Sequence, residues 1–209
     1  MKKGCLTSIY VFLVLLVVFV LGLIWAIKSA FGPSHRTVNI DLDNGHTLIG
    51  EETYNADFAD VFYDVRLKLI SANSDTLEFG SATFHDENWN KSLHLQNMGN
   101  WFVLPVQEGT YSKLLLVNRT NRERQDTTFS PLELRYDSLW RAKYDEIPVY
   151  LYPGTSTIDS VRNNHIFVKY DYRIGYYEPF TFYRQSIEYE LDSISGKVVT
   201  KNVFGRTEK

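Results

Sequence analysis

From Leu6 to Ile27 the chain carries no charged residue, and after it the hydrophobic positions change from a continuous run to short alternating ones. Ile9 to Ile27 is 19 residues of nearly unbroken Val, Leu, Ile and Phe. Coiled as a helix rising about 1.5 Å per residue, it matches the roughly 30 Å hydrocarbon core of a bilayer. Tyr10 lies near one end, and Trp25 and Phe31 near the other, where amphipathic aromatics favour the water interface. The pattern predicts a transmembrane helix over 9–27. A secretory signal peptide also begins basic and continues apolar, but this run exceeds the typical apolar stretch of about 7 to 15 residues. Lys28 interrupts the place for a small-x-small cleavage site, and Pro33 follows the passable candidate Ala30-Phe31-Gly32. An uncleaved signal-anchor is therefore expected. Cys5 precedes the run, whereas a lipoprotein cysteine would follow it.

Beyond Pro33 the period is two. Val38, Ile40 and Leu42 alternate with Asn39, Asp41 and Asp43, and Asn44-Gly45 then leads into His46 to Ile49, the strongest local hairpin signal in the chain. Val61 to Ile70 places Val61, Tyr63, Val65, Leu67 and Leu69 on one side and reads as a half-buried strand. Asn73-Ser74-Asp75 turns it into a strand at Thr76 to Phe84, followed by a polar loop from His85 to Asn90. Trp101 to Val106 and Tyr111 to Val117 are apolar runs joined by Gln107-Glu108-Gly109-Thr110, with Pro105 marking a strand end or edge. Ser130-Pro131-Leu132-Glu133 has the form of a capping box with Pro at the first helical position. Leu132, Tyr136, Leu139 and Trp140 continue at helical spacing and predict a short helix over Leu132 to Tyr144. Strands resume after a turn at Tyr152-Pro153-Gly154-Thr155. They occupy Ile166 to Ile174 and Tyr183 to Leu191, and the turn Ser195-Gly196-Lys197 leads to Val198 to Phe204.

This succession predicts a mainly β domain, an antiparallel β-sandwich or barrel-like fold with one short α-helix, preceded by the single transmembrane helix. The organisation is a short basic tail at 1–8, the helix at 9–27, a linker at 28–36, the β-rich domain at 37–205 and a charged tail at 206–209. No internal repeat of fixed period is visible.

Charge narrows the function classes. Of 22 basic residues in the 209-residue chain, Lys2, Lys3 and Lys28 precede Pro33, while all 25 acidic residues follow it, which leaves the later section at −6. Nucleic acid is a poor partner for such a domain, because clustered Lys and Arg supply most non-specific affinity. With Cys5 the only cysteine, the domain has neither a disulfide framework nor a thiolate metal site. Lys2 and Lys3 face Lys28 and Arg36 across the apolar run in near balance. A short basic tail is harder to translocate than a domain following a signal-anchor, so the N-terminus is expected in the cytoplasm and the domain outside.

The best catalytic candidates are His85, Asp86 and Glu87, an imidazole and two carboxylates in one loop, with Trp89 beside them as a ligand contact. Neighbouring side chains on an extended segment point apart, so a solvated loop is the simpler reading. Asp41, Asp43, Gly45 and Glu52 invite comparison with a calcium loop, but Gly45 falls where a ligand belongs and His46 where the sharp turn needs Gly. No metal or cofactor is expected. Arg119, Arg122 and Arg124 are candidates to hold an anionic group, with Glu123 and Asp126 diluting their field. Asn118-Arg119-Thr120 and Asn90-Lys91-Ser92 fit the N-glycosylation acceptor pattern. Thirteen of the 14 Tyr follow Pro33. They pave sheet faces well, and Tyr176, Tyr177 and Phe180 are the candidates to stack on a sugar or anchor a protein partner. Phosphate-binding, nucleophile-elbow, H-E-x-x-H and C-x-x-C motifs are missing, which weighs against an enzyme.

The expected function is a single-pass membrane-anchored protein whose extracytoplasmic domain is a protein-interaction or ligand-binding module, its partners the membrane through Ile9 to Ile27 and an envelope or cell-surface protein. The alternatives are a membrane-tethered hydrolase of surface polysaccharide or peptide, and a sugar-binding module.

Overall fold

The computed structural model describes the backbone of residues 3–31, 34–42, 45–56, 60–71, 73, 75–131, 151–174 and 181–208. The helix, α1, runs Lys3–Phe31, longer than the predicted 9–27 because nothing interrupts it before Gly32-Pro33. Its side chains are described over 11–26, and there the large apolar groups are 45% to 72% exposed, from Val20 to Trp25. Among the described residues, no helix is long and apolar enough to cross a membrane.

Twelve strands follow among the described residues, in three four-stranded antiparallel sheets, each a meander of consecutive strands. The first sheet holds β1 (Ser34–Asp41), β2 (Thr47–Ala56), β3 (Val61–Ile70) and β4 (Thr76–Phe84). The central sheet holds β5 (Gln96–Met98), β6 (Trp101–Glu108), β7 (Tyr111–Asn118) and β8 (Arg124–Phe129). The third holds β9 (Leu151–Arg162), β10 (His165–Ile174), β11 (Thr181–Leu191) and β12 (Val198–Glu208).

The central sheet lies between the other two. Along β6, Trp101 and Val103 enter the core shared with the third sheet, whereas Phe102, Leu104 and Val106 enter the core shared with the first. Leu114 and Leu116 of β7 pack with the former pair, Leu115 and Val117 with the latter group. Strands buried on both faces read as continuous apolar runs. The outer strands bury one face and alternate, as Val65, Leu67 and Leu69 do in β3 and Ile166, Val168, Tyr170 and Tyr172 do in β10. The expected sandwich or barrel is thereby corrected: the described strands close no barrel, and there are three layers rather than two. Pro105 sits in the part of β6 beyond the reach of β5, which pairs only with Trp101 to Val103, so its missing donor faces no ladder.

Three local expectations also change. Tyr152 to Thr155 is part of β9 rather than a turn. Asp171 pairs with Thr155 and Arg173 with Tyr152, so Pro153-Gly154 supplies one extra residue in a β-bulge. A Cβ on Gly154 would lie 1.9 Å from the Asp171 carbonyl oxygen, so the backbones approach too closely there for any other residue. The charged tail expected at 206–209 continues β12 as far as Glu208, which pairs with Tyr183. The stretch holding the three arginines ends in β8, a strand too polar to stand out by its pattern. The β9–β10 hairpin turns on Asn163 and Asn164, both at positive φ (47° and 65°), as a two-residue type I′ turn requires. The helix expected over Leu132 to Tyr144 lies outside the described residues, as do Tyr176, Tyr177 and Phe180.

On the outer face of the third sheet, Asn202 donates to Glu188 Oε2 at 2.6 Å, and His165 Nδ1 lies 2.7 Å from Oε1. The Asn202 bond, followed by that to His165, holds the Glu188 carboxyl below the ordinary glutamate value of 4.5. A depressed folded value stabilises fully above the unfolded one and is lost as pH falls through the folded one. Asn202→Ala should therefore melt below the wild type at neutral pH, with the gap closing on acidification through the carboxylate range. Thermal scans at a series of pH values check this, and a gap that stays constant with pH counts against it.

Candidate functional site

The loop after β4 is fastened by its tryptophan. Phe84 ends β4 in the core, and a 3-10 turn at Trp89–Ser92 folds Trp89 back so that its ring stacks on Phe84 at 5.3 Å between centroids, 23° from parallel. Trp89 is 2% exposed. Its indole N–H donates to Glu52 Oε2 at 2.7 Å, so a buried strand carboxylate receives the one polar atom the ring carries. Arg36 of β1 completes the arrangement: its Nε lies 2.8 Å from Glu52 Oε1, and its Nη2 donates to Oε2 at 2.9 Å. The same Nη2 reaches the Glu87 carbonyl oxygen at 3.4 Å. Gly50 makes room, since a Cβ there would stand 2.3 Å from the Trp89 ring.

The three candidate catalytic groups take separate partners. His85 Nδ1 lies 3.2 Å from Asp60 Oδ2, both side chains being about half exposed. Asp86 Oδ1 accepts from the Asn88 backbone N–H at 2.8 Å and from its Nδ2 at 3.4 Å, which makes Asp86 the former of the turn. Glu87 is exposed and contributes its carbonyl to Arg36. Beside this loop opens a cleft of about 540 Å³, lined by Phe84, His85, Asp86, Asn88, Trp89, Lys91, Ser92, Gln107 and Gly109. Its volume lies within the usual range of small-molecule sites. Gln107 is committed to the wall, donating to the Gly109 and Ser156 carbonyls at 3.1 Å each and accepting from Ser112 Oγ at 2.9 Å. The His85 ring covers Gly109, whose Cβ, if present, would meet Nε2 at 3.2 Å.

The three arginines do not converge. Arg119 lies over the Phe102 ring at 4.3 Å, Arg122 Nη2 is 3.2 Å from Asp75 and Arg124 Nη1 is 3.3 Å from Glu78. Asp75 and Glu78 belong to the β3–β4 region, so Arg122 and Arg124 stitch the central sheet to the first. Tyrosines pave the other core: the Tyr170 and Tyr189 hydroxyls lie 2.6 Å apart, and burial raises the Tyr172 phenol above its ordinary value. Among the described residues, no group of three His, Cys, Asp or Glu is placed to hold a metal ion.

Arg36, Glu52, Asp60 and Lys91 are the site residues that sequence reasoning missed. The signals present were the even spacing of Glu52 among the residues of β2 and the Trp in an otherwise polar loop, and neither says which meets which. The chain matches no protein-family model, and no curated protein is significantly similar to it, so the reading of its function rests on its own residues.

Proposed function

We propose that the chain is a single-pass membrane-anchored protein whose three-sheet domain lies on the extracytoplasmic side and acts as a protein-interaction or ligand-binding module. The observation that carries the reading is α1, whose described apolar side chains are exposed on every side. A helix apolar all round belongs in a core or a bilayer, and soluble surfaces rarely expose so large a contiguous apolar patch. The apolar sequence continues on both sides of the described part, from Leu6 to Ile27 without a charge. Tethering confines the domain to the membrane surface and raises its effective concentration toward partners there, so modest contact energy suffices. The cleft beside His85 is the place for a ligand.

Alkaline carbonate extraction of membranes carrying the full chain tests the anchor, and protease treatment of intact cells tests the side. The chain should stay with the membrane and its domain should be cut from outside. Release at alkaline pH would sink the anchor, and protection from external protease would sink the orientation.

A further inference from the structure

We infer that β1 is a docking edge for a second copy of this chain, the two β1 strands pairing antiparallel about a twofold axis at Val38. The inference goes beyond the anchored reading above and does not depend on it. Among the described residues β1 is hydrogen-bonded only to β2, so its other side is an edge of the first sheet. The Leu42 N–H bonds to the His46 carbonyl, which continues the register that sets Asp41 opposite Thr47. Bonding in an antiparallel pair alternates from one residue to the next. Ser34, Arg36, Val38 and Ile40 therefore turn their backbone groups to β2, whereas His35, Thr37, Asn39 and Asp41 turn theirs outward. All four outward residues are exposed. Native proteins blunt such edges, and the other described edges are blunted. Register shifts interrupt β4, β9 and β12. β5 and β8 are three and six residues long, while β1 keeps eight in unbroken register.

What points to a second copy is that the pattern of β1 is complementary to itself. In the register centred on Val38, His35 lies opposite the partner's Asp41 and Thr37 opposite the partner's Asn39. Each of those pairs exchanges two backbone bonds, so every outward N–H and C=O from His35 to Asp41 is satisfied. A slide of two residues either way leaves one end unpaired. Charges on an edge ordinarily repel a partner strand, but here each end meets its complement. His35 Nδ1 lies 3.0 Å from Thr53 Oγ1, which leaves Nε2 for the carboxylate of the partner's Asp41. On the inner face Val38, Ile40 and Leu42 are only half-buried against the first core. Val38 meets the partner's Val38 in a close, non-hydrogen-bonded pair, and the partner's Ser34 lies opposite Leu42, so pairing takes more apolar surface from water. The Ser34 residues of the two copies then stand roughly 27 Å apart along the strands. A twofold axis perpendicular to the sheet puts both at one height, so both α1 helices fit one bilayer, and tethering raises the effective concentration for pairing.

The test uses the full chain with Cys5→Ser, in membranes and in detergent, and reads disulfide formation between copies under mild oxidation. Val38→Cys stands at the twofold, where the partner Cα is about 4.5 Å away and within bridging distance. It should cross-link about tenfold faster than Ile194→Cys, a position 84% exposed in the turn before β12. Thr37→Cys and Asn39→Cys, both at exposed positions, should cross-link with each other when mixed and not when alone. His35→Asp sets carboxylate against carboxylate and Asp41→His sets imidazole against imidazole, so each alone should slow the Val38→Cys bridge about fivefold, with unchanged melting. Mixing the two variants restores an unlike pair at both contacts and should recover the bridge between unlike chains. Val38→Cys no faster than Ile194→Cys, no recovery on mixing, or a cross-link confined to Gly22→Cys within α1 would overturn the inference. A chain released at alkaline pH that still cross-links through Val38→Cys in detergent loses the anchor and keeps the edge, whereas one retained without that cross-link loses the edge alone.

Discussion

Replacing Trp89 with alanine should lower the unfolding free energy by about 3–5 kcal/mol, the usual cost of truncating a large buried aromatic. Against a total of about 5–15 kcal/mol for a domain, that is a large share. Two losses combine. The stacking partner of Phe84 disappears, leaving a cavity beside Gly50 that no Cβ fills. Glu52, 4% exposed, also loses the indole N–H and keeps, among the described residues, only Arg36. Trp89→Phe separates the two, since it keeps most of the ring area and removes the donor, at a cost of about 1–3 kcal/mol. Denaturant unfolding of the full chain in detergent reads both, through a lowered midpoint at constant slope. A midpoint unmoved by Trp89→Ala would show that the loop does not fold onto the first sheet. The cleft beside His85 should then be missing as well, because Trp89 is part of its floor.

The second large effect belongs to the central sheet. Leu115 and Leu116 are neighbours on β7, with exposures of 1% and 0%, yet they enter different cores. Each changed singly to alanine should cost about 2–5 kcal/mol. In a two-sheet sandwich one of two adjacent strand residues faces water, where such a substitution usually stays within about 0.5 kcal/mol. Two large, comparable losses at adjacent positions are thus a signature of three layers. One large and one negligible loss would refute them. The double variant should fall well below either single one, since each residue empties its own core.

The outer strands were legible for a simple reason. A strand with one face in water must alternate, and β3 and β10 lie where their alternation predicts. The first hairpin was legible because the turn chemistry of Asn44-Gly45 is local, and Leu42 N–H does bond to the His46 carbonyl across it at 2.8 Å. Pro153-Gly154 misled because the pair marks irregular backbone without saying whether the chain turns or bulges. The partner strand decides that, through the close approach of Asp171. β5 and β8 are too short or too polar to show a pattern, and they are strands because β6 and β7 offer them unpaired backbone.

The candidate site divides along the same line. His85, Asp86 and Trp89 were visible as a cluster of chemistry in one loop, and they do border a common cleft. Their partners Asp60 and Glu52 come from other strands, and Arg36, read in the sequence as one term in a charge balance, instead holds Glu52 and touches the loop at Glu87. The sequence by itself determined the apolar N-terminal run, the acidic balance that argues against nucleic acid, the predominance of strands and the alternation of the outer sheets. Each of these depends on residues close together in the chain. Only the tertiary structure decided that two alternating layers enclose a third, and that Trp89 closes a core instead of standing free on a loop. Those outcomes depend on which faces and which distant side chains are brought into contact, and hydrophobic burial, being non-directional, does not encode such pairings in any local pattern.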